Sequence, residues 1–499
     1  MMRSIGYSKT LTALIIFFSL FAIGLPVKRT DLNAQQSQIS PLSVLVDNNH
    51  TLLLGKRWMG IYLKNSKVGY CVTNIQEDYN SYQFSERIVM KLNLMGTPQA
   101  INIITKSTLE KNFSIKSFRF LLQSGVVKFQ ARGRVAGGNL ELYVNSRGRE
   151  IQETIPLKTP PFLPNNLNLA LFHQGLAVGK VCRFHVFDPS TMSNDETIIS
   201  IEGKESIKIS GEKTSAYILK ESFKGLVVTA WISEEGTMLK EESPLGLVLV
   251  KETEEEALTK GWDSGFVSSG TDIISYVAIP VDILVEQPKS VKYMKIKLSG
   301  ISLSDFNLTS GEQVLKGDIL EITKEEIMGI NSYFMPLKEK GFEKYLEPSL
   351  LIQSNDQRIV EEANRIIGEE KNAIRISKMI MEWVYENVEK KPTISIPSAI
   401  DVLQLKMGDC NEHAALFTAL NRAVGIPTKM ITGIVLSEQK FYYHTWAEVY
   451  IGRWASIDPT MKQFPVDATH IRFVEGGLDK QVEIMKLIGH LKAEILEFK

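Results

Sequence analysis

The chain predicts an α+β fold, with a large antiparallel β-rich region first and a mixed domain of helices and strands after it. Three observations carry this. From Arg57 to about Thr253, short alternating apolar and polar runs are broken by Gly, Asn, Ser and Asp, the pattern of half-buried strands. Residues 281 to 322 add a second strand-rich block that includes Val291 to Leu298. Near Tyr345-Leu346-Glu347-Pro348 the texture changes, and apolar residues begin to recur at helical spacing. The 499 residues suffice for two to four domains.

At the N-terminus, Arg3 and Lys9 precede an apolar run from Leu11 to Val27. A basic start before such a run fits export machinery, so residues 1–27 read as a signal peptide or signal anchor. Ala22-Ile23-Gly24 offers small residues at signal-peptidase spacing, whereas Lys28-Arg29 suits a retained anchor. Both alternatives stand. The expectation is export across the cytoplasmic membrane, with the bulk periplasmic or membrane-anchored. If the segment is uncleaved, it is also the membrane contact. Residues 28–54, with Asn33-Ala34-Gln35-Gln36, read as a polar linker.

The β-rich domain is placed at 55–280. Ile75 to Tyr82, Phe84 to Leu94, Ala100 to Thr108, Ser117 to Gln123, Val126 to Val135 and Leu140 to Val144 read as strands. Gly137-Gly138-Asn139 supplies a hairpin turn, and a short helix is expected near Leu167 to His173. Residues 281–335 form a strand-rich connecting block, and the last domain spans 336–499.

Composition narrows the function. Lys and Arg total 57, as do Asp and Glu, so the formal net charge is zero and nucleic acid as a partner has no electrostatic support. Of the three cysteines, Cys71 and Cys182 are either a disulfide or two buried apolar side chains, and both readings stay open. Cys410 is the one whose surroundings suggest reactivity. No cofactor motif is present. A metal site of Cys410, His413, His444 and Asp458 matches no familiar zinc spacing. Nothing in the sequence sets an oligomeric state.

In the last domain, Ser354 is the expected cap of a helix over Asp356 to Ile367, and a second helix fits Asn372 to Val388. Pro397-Ser398 starts a short helix to about Leu405. Asp409-x-x-Glu412 then reads as a capping box on a helix running to about Val424, with Gly425 at C′ and Pro427 beyond. Cys410 thus falls in the first helical turn, where the dipole and the backbone N–H groups favour a thiolate and an oxyanion. His413, one turn on, is a rival base whose spacing suits a structural role.

Residues 429–437, 442–451 and 453–458 read as three antiparallel strands. His444, Trp446, Glu448 and Tyr450 share one face of the second. A histidine there is either a core residue or a general base whose second nitrogen needs an orienting carboxylate, for which Asp458 is the candidate. Register provides a test. His444 and Asp458 face the same side only if paired residue numbers sum to an even value, so the turn after Ile451 must be odd in length or bulged.

Taken together, Gly408-Asp409-Cys410-x-x-His413-Ala414, Gly425-Ile426-Pro427, His444-x-Trp446-x-Glu448-Val449-Tyr450, Trp454 and Asp458-Pro459-Thr460 resemble the transglutaminase-like superfamily over about residues 345–465. The resemblance implies a papain-like α+β core with Cys410 as nucleophile, His444 as base and Asp458 as orienter. It also implies an acyl-enzyme thioester released by water or by an amine. Trp58-Met59-Gly60-Ile61-Tyr62 and Lys67-Val68-Gly69-Tyr70 are similar to the start of β-rich domains that precede such domains in exported bacterial proteins. The function expected is a thiol enzyme acting on amide or peptide bonds of protein or peptide substrates, hydrolytic rather than crosslinking. The competing class is a non-catalytic envelope protein that uses the fold for binding or assembly.

Overall fold

The computed structural model describes residues 54–146, 148–224, 226–244, 246–259 and 272–499. The expected export segment, and the linker up to residue 53, lie outside them. No helix among the described residues is long and apolar enough to cross a membrane.

Among these residues, fourteen antiparallel strands form one sheet. Eight run as a meander from Gly55–Leu63 out to Arg149–Pro156. The chain then crosses to the far edge, and six more return from Val181–Asp188 to Leu247–Glu252, which pairs with the first strand at Ile61↔Leu249. The period-two pattern dictates which face is buried. In Ser81–Leu94, Tyr82, Phe84, Ile88, Met90, Leu92 and Leu94 all point inward. The sheet curls until Phe118 and Phe187, on strands far apart in its order, meet at 5.4 Å between ring centroids. The expected helix Leu167–His173 packs Leu167, Leu169, Ala170 and Leu171 into this concavity against Ile75, Phe84, Ile199 and Leu219. Cys71 and Cys182 are buried and no disulfide joins them.

The block after residue 281 contributes Tyr293–Ser299, Gln313–Lys316 and Ile319–Thr323. Their sheet is completed by the last strand, Lys492–Phe498, paired along Tyr293–Ser299. Only Ile495 of that strand is buried, so its sequence carries almost no strand signal.

The mixed domain begins with helices α1 (Gln357–Ile367), α2 (Ala373–Asn387), α3 (Ala399–Leu405) and α4 (Cys410–Ala423). The cap of α1 is Asp356 rather than Ser354: its Oδ1 accepts the Arg358 N–H at 3.0 Å. Strands β1 (Thr428–Ser437), β2 (Lys440–Tyr450), β3 (Trp454–Ile457) and β4 (His470–Glu475) follow. β1 lies between β2 and β4, and β3 pairs with β2. Every residue of α4 from Cys410 to Asn421 is buried, the mark of a helix enclosed on all sides. Its Ala414, Phe417 and Leu420 pack with Ile376, Ile380, Ala447 and Val449. A second core runs continuously from Ile61 and Leu249 of the large sheet to Phe441 and Tyr443 of β2, so the two regions are packed directly together.

Candidate active site

Cys410 is the first residue of α4 and has no exposed surface. The capping box forms as the sequence suggests. Asp409 Oδ1 accepts the Asn411 N–H at 3.0 Å, and Glu412 reaches back to the Asp409 N–H at 2.9 Å. Ser395 donates its hydroxyl to Glu412 and fixes that carboxylate. The Asn411 N–H is thereby committed to the cap and is not a donor for an oxyanion. At the other end Val424 is the C-cap, and Gly425 at φ +88° turns the chain away. His413 does not serve as a base toward Cys410. Its Nδ1 is 2.6 Å from Asp409 O and its Nε2 3.2 Å from Val388 O, tying the start of α4 to the end of α2. Burial lowers its pKa, against the two carbonyl oxygens, which favour the protonated ring.

α4 packs against β1 and β2, and β2 carries His444. Between β2 and β3 the pairing is Tyr450↔Trp454 and Ala447↔Ile457, an even sum, around a three-residue turn closed by Ile451 N–H to Arg453 O at 2.9 Å. The odd-length turn that the sequence argument requires is present, with Gly452 at φ +106° inside it. His444 and Asp458 consequently meet: His444 Nε2 lies 2.7 Å from Asp458 Oδ2, both side chains fully enclosed. Asp458 is held in turn by the backbone that follows it. Its Oδ1 accepts the N–H groups of Thr460 at 2.7 Å and Met461 at 3.0 Å. With Nε2–H donated to Asp458, the second nitrogen of a neutral His444 ring is a bare acceptor. That atom, Nδ1, is buried and has no hydrogen-bond partner.

Comparison with known proteins bears on this unit. Residues 361–459 match the profile of the transglutaminase-like superfamily. This part of the chain is a transglutaminase-like domain. No curated protein matches the chain. Among solved structures, it is similar to one from Cytophaga hutchinsonii described as a candidate cysteine protease, at 17% identity and TM-score 0.28 over 42% of this chain and 86% of that one. It is also similar to a β-barrel-like protein of unknown function from Brucella abortus, at 10% identity and TM-score 0.32 over 40% of this chain and 94% of that one. A third, from Parabacteroides distasonis and described as a candidate protease, shows 10% identity and TM-score 0.21 over 71% of this chain and 67% of that one.

Just beyond the matched residues lie two further groups that sequence reasoning missed. His470, at the start of β4, places Nε2 3.3 Å from Asp458 Oδ2 and Nδ1 3.3 Å from Asp467 Oδ1. Asp467 is anchored by the Thr469 N–H at 2.8 Å and by Gln463 Nε2 at 2.8 Å. Burial opposes charge on all three groups, but their mutual attraction outweighs it. Asp458 is held well below the usual carboxylate range by His444 and His470, and Asp467 is lowered by His470. His470 is pushed up to about 9 by Asp467 and Asp458. His470 is thus a fixed cation behind Asp458. The ligand atoms of His444, Asp458 and His470 lie within 4.8 Å of one another. Both Nε2 atoms point at the same carboxylate oxygen, an arrangement of donors around an acceptor rather than of lone pairs around an ion. Trp446 stacks on His444 with centroids 6.1 Å apart and meets His470 edge-on at 5.3 Å. Gly433, opposite His444 on β1, makes room for this: a Cβ there would lie 2.0 Å from Ile471 O and 2.8 Å from the Trp446 ring.

Proposed function

We propose that the protein is an exported thiol enzyme that opens amide or peptide bonds in protein or cell-envelope peptide substrates, with Cys410 as nucleophile, His444 as general base and Asp458 as its orienting group. The observation that carries this reading is the His444–Asp458 hydrogen bond, which leaves Nδ1 as the basic nitrogen of an enclosed imidazole. Nδ1 takes the Cys410 Sγ proton, and the thiolate attacks the substrate carbonyl carbon. The tetrahedral intermediate collapses with cleavage of the C–N bond, and the departing amine takes the proton from His444. Water, deprotonated by the same nitrogen, then opens the thioester, releasing the acid and restoring the thiol. An amine in place of water would give transamidation. Export rests on the basic start and the apolar run from Leu11 to Val27.

A second reading, a non-catalytic envelope protein, draws on the complete burial of Cys410, His444 and Asp458, since a thiol without exposed surface must be uncovered before it can react. One experiment separates the two. A thiol-specific probe is expected to label the wild type at Cys410, with no labelling there in Cys410→Ala and slowed labelling in His444→Ala. Absence of Cys410 labelling in the folded wild type would sink the enzyme reading. Incubation with a mixed envelope peptide extract, with and without a primary amine, identifies by product mass which acceptor takes the acyl group.

A further inference from the structure

The concave side of the large sheet encloses a cavity of about 100 Å³, bordered by Asn168 and Leu169 of the Leu167–His173 helix. Met59, Ile75, Phe84, Leu219 and Leu249 make an apolar wall. Three carboxylates break it: Glu86 on Ser81–Leu94, Glu221 on Glu212–Phe223 and Glu241 on Met238–Glu242. Strand alternation puts the first two on the apolar faces of their strands. Glu86 lies between Phe84 and Ile88 and Glu221 between Leu219 and Phe223, while Glu241 pairs with Ala230 and, across a register shift that displaces Leu239 to the opposite core, shares its face with Met238.

Glu86 is partnered. Its Oε2 accepts from Asn165 Nδ2 at 2.9 Å, and its Oε1 faces Cys71 Sγ at 3.8 Å. On each of the other two, one oxygen, Glu221 Oε1 and Glu241 Oε1, is buried and accepts no hydrogen bond. Arg57 and Lys251 also border the cavity, yet the charges acting on Glu241 are those of Glu221 and Glu86, and burial alone acts on Glu221. Burial pushes Glu86 up to about 7 and Glu221 up to about 8, and it drives Glu241, beside both, well above the carboxylate range.

A compact cation with an apolar stem complements such a cavity. An ammonium group brings one positive charge and three N–H donors, and a short alkyl chain suits the wall. A metal ion suits it less. The carboxylates do not converge as a ligand set; among the described residues the only close group of that kind is His444, Asp458 and His470. The cavity is smaller than the ~150 Å³ space that admits benzene, which restricts the stem to a few carbons.

We propose that this cavity binds a small primary amine, its ammonium group held by Glu221 and Glu241 and its stem lying against Leu219 and Leu249. The site lies outside the transglutaminase-like domain and does not depend on the chemistry of Cys410. Because the ammonium pairs with ionised carboxylates and itself stays charged below about pH 10, binding strengthens as pH rises from 6 to 8.5 and releases protons from the glutamates.

Isothermal titration of the full chain with n-butylamine, n-butanol and butyrate at pH 8 tests this. One saturable site for the amine is expected, with the alcohol and the acid at least tenfold weaker. Glu221→Gln and Glu241→Gln should each weaken amine binding at least tenfold. If the glutamine variants fail to fold, Leu219→Phe narrows the cavity from its apolar side and should exclude the amine. Equal binding of butanol, unchanged binding in folded variants, tighter binding at pH 6, or preference for Ca²⁺ or Zn²⁺ over the amine would each overturn the proposal.

Discussion

In the transglutaminase-like domain, Asp458 faces His444 and His470, and Glu448 faces Lys429 at 3.0 Å and Arg472 at 2.7 Å. In the β-rich region Glu221 and Glu241 line a cavity, and among the described residues no cation offsets the burial of either. The same chemical group therefore titrates in opposite directions: the carboxyl of Asp458 is driven down and that of Glu241 up. Burial penalises both. The difference is whether the fold supplies a countercharge, and it separates an electrostatically fixed centre from a proton-linked one.

Several changes would break or sharpen this contrast. The largest effect is expected from His444→Ala, which should slow alkylation of Cys410 at neutral pH by about 10²-fold or more, read as the rate of probe incorporation. A rate equal to wild type would leave Asp458 with a paired but idle histidine. Asp458→Asn comes next. It removes one of the two carboxylates that face His470, with Asp467 remaining, and by denaturant titration it should cost up to about 3 kcal/mol of stability, the lower end of the scale for breaking a buried pair. Glu221→Gln should do the reverse at pH 8 and stabilise the fold, because an unpartnered carboxylate is no longer forced to ionise.

The pH dependence of stability gives a finer test. Glu221 shifts from 4.5 up to about 8, so the folded state holds its proton more tightly, and stability falls as pH rises between those values. His470 shifts from 6.5 to about 9, so its contribution is complete below 6.5 and is lost as pH rises through 9. The unfolding midpoint should decline from pH 5 to 9. In a Glu221→Gln, Glu241→Gln double variant the decline should be shallower, with Glu86 below about pH 7 and His470 above it supplying what remains. The smallest effect is expected for Gly433→Ala, about 1–3 kcal/mol by the same titration, since Ile471 O and Trp446 must shift to accept a Cβ.

Much of the transglutaminase-like domain was legible because its signals are local. The Asp409–Glu412 capping box, the Gly425 terminus and the even pairing sum between β2 and β3 each involve residues close in sequence. His470 was not legible. Its contact with Asp458 depends on how β4 docks on β1, where the register shifts between Thr432 and Gly433. Asp356 outcompeted Ser354 as a cap because its carboxylate also pairs with Arg358, at 2.9 Å. In the large sheet, alternation placed the strands, and Glu86 and Glu221 already stood in phase with apolar neighbours, whereas Glu241 follows a register shift that breaks the alternation. That phase was the available sign of an inward carboxylate, but what the three face depends on the curl of the sheet, which no single strand encodes.

The strand Lys492–Phe498 completes the sheet begun by Tyr293–Ser299, and Lys499 O accepts the N–H groups of Lys292 at 2.6 Å and Tyr293 at 3.2 Å. During synthesis the large sheet has all its strands long before this one emerges. Until then the edge of Tyr293–Ser299 offers unpaired backbone groups to any passing strand. The small sheet is therefore the last to close, and a nascent or truncated chain lacking residues 492–498 leaves that edge open to pairing.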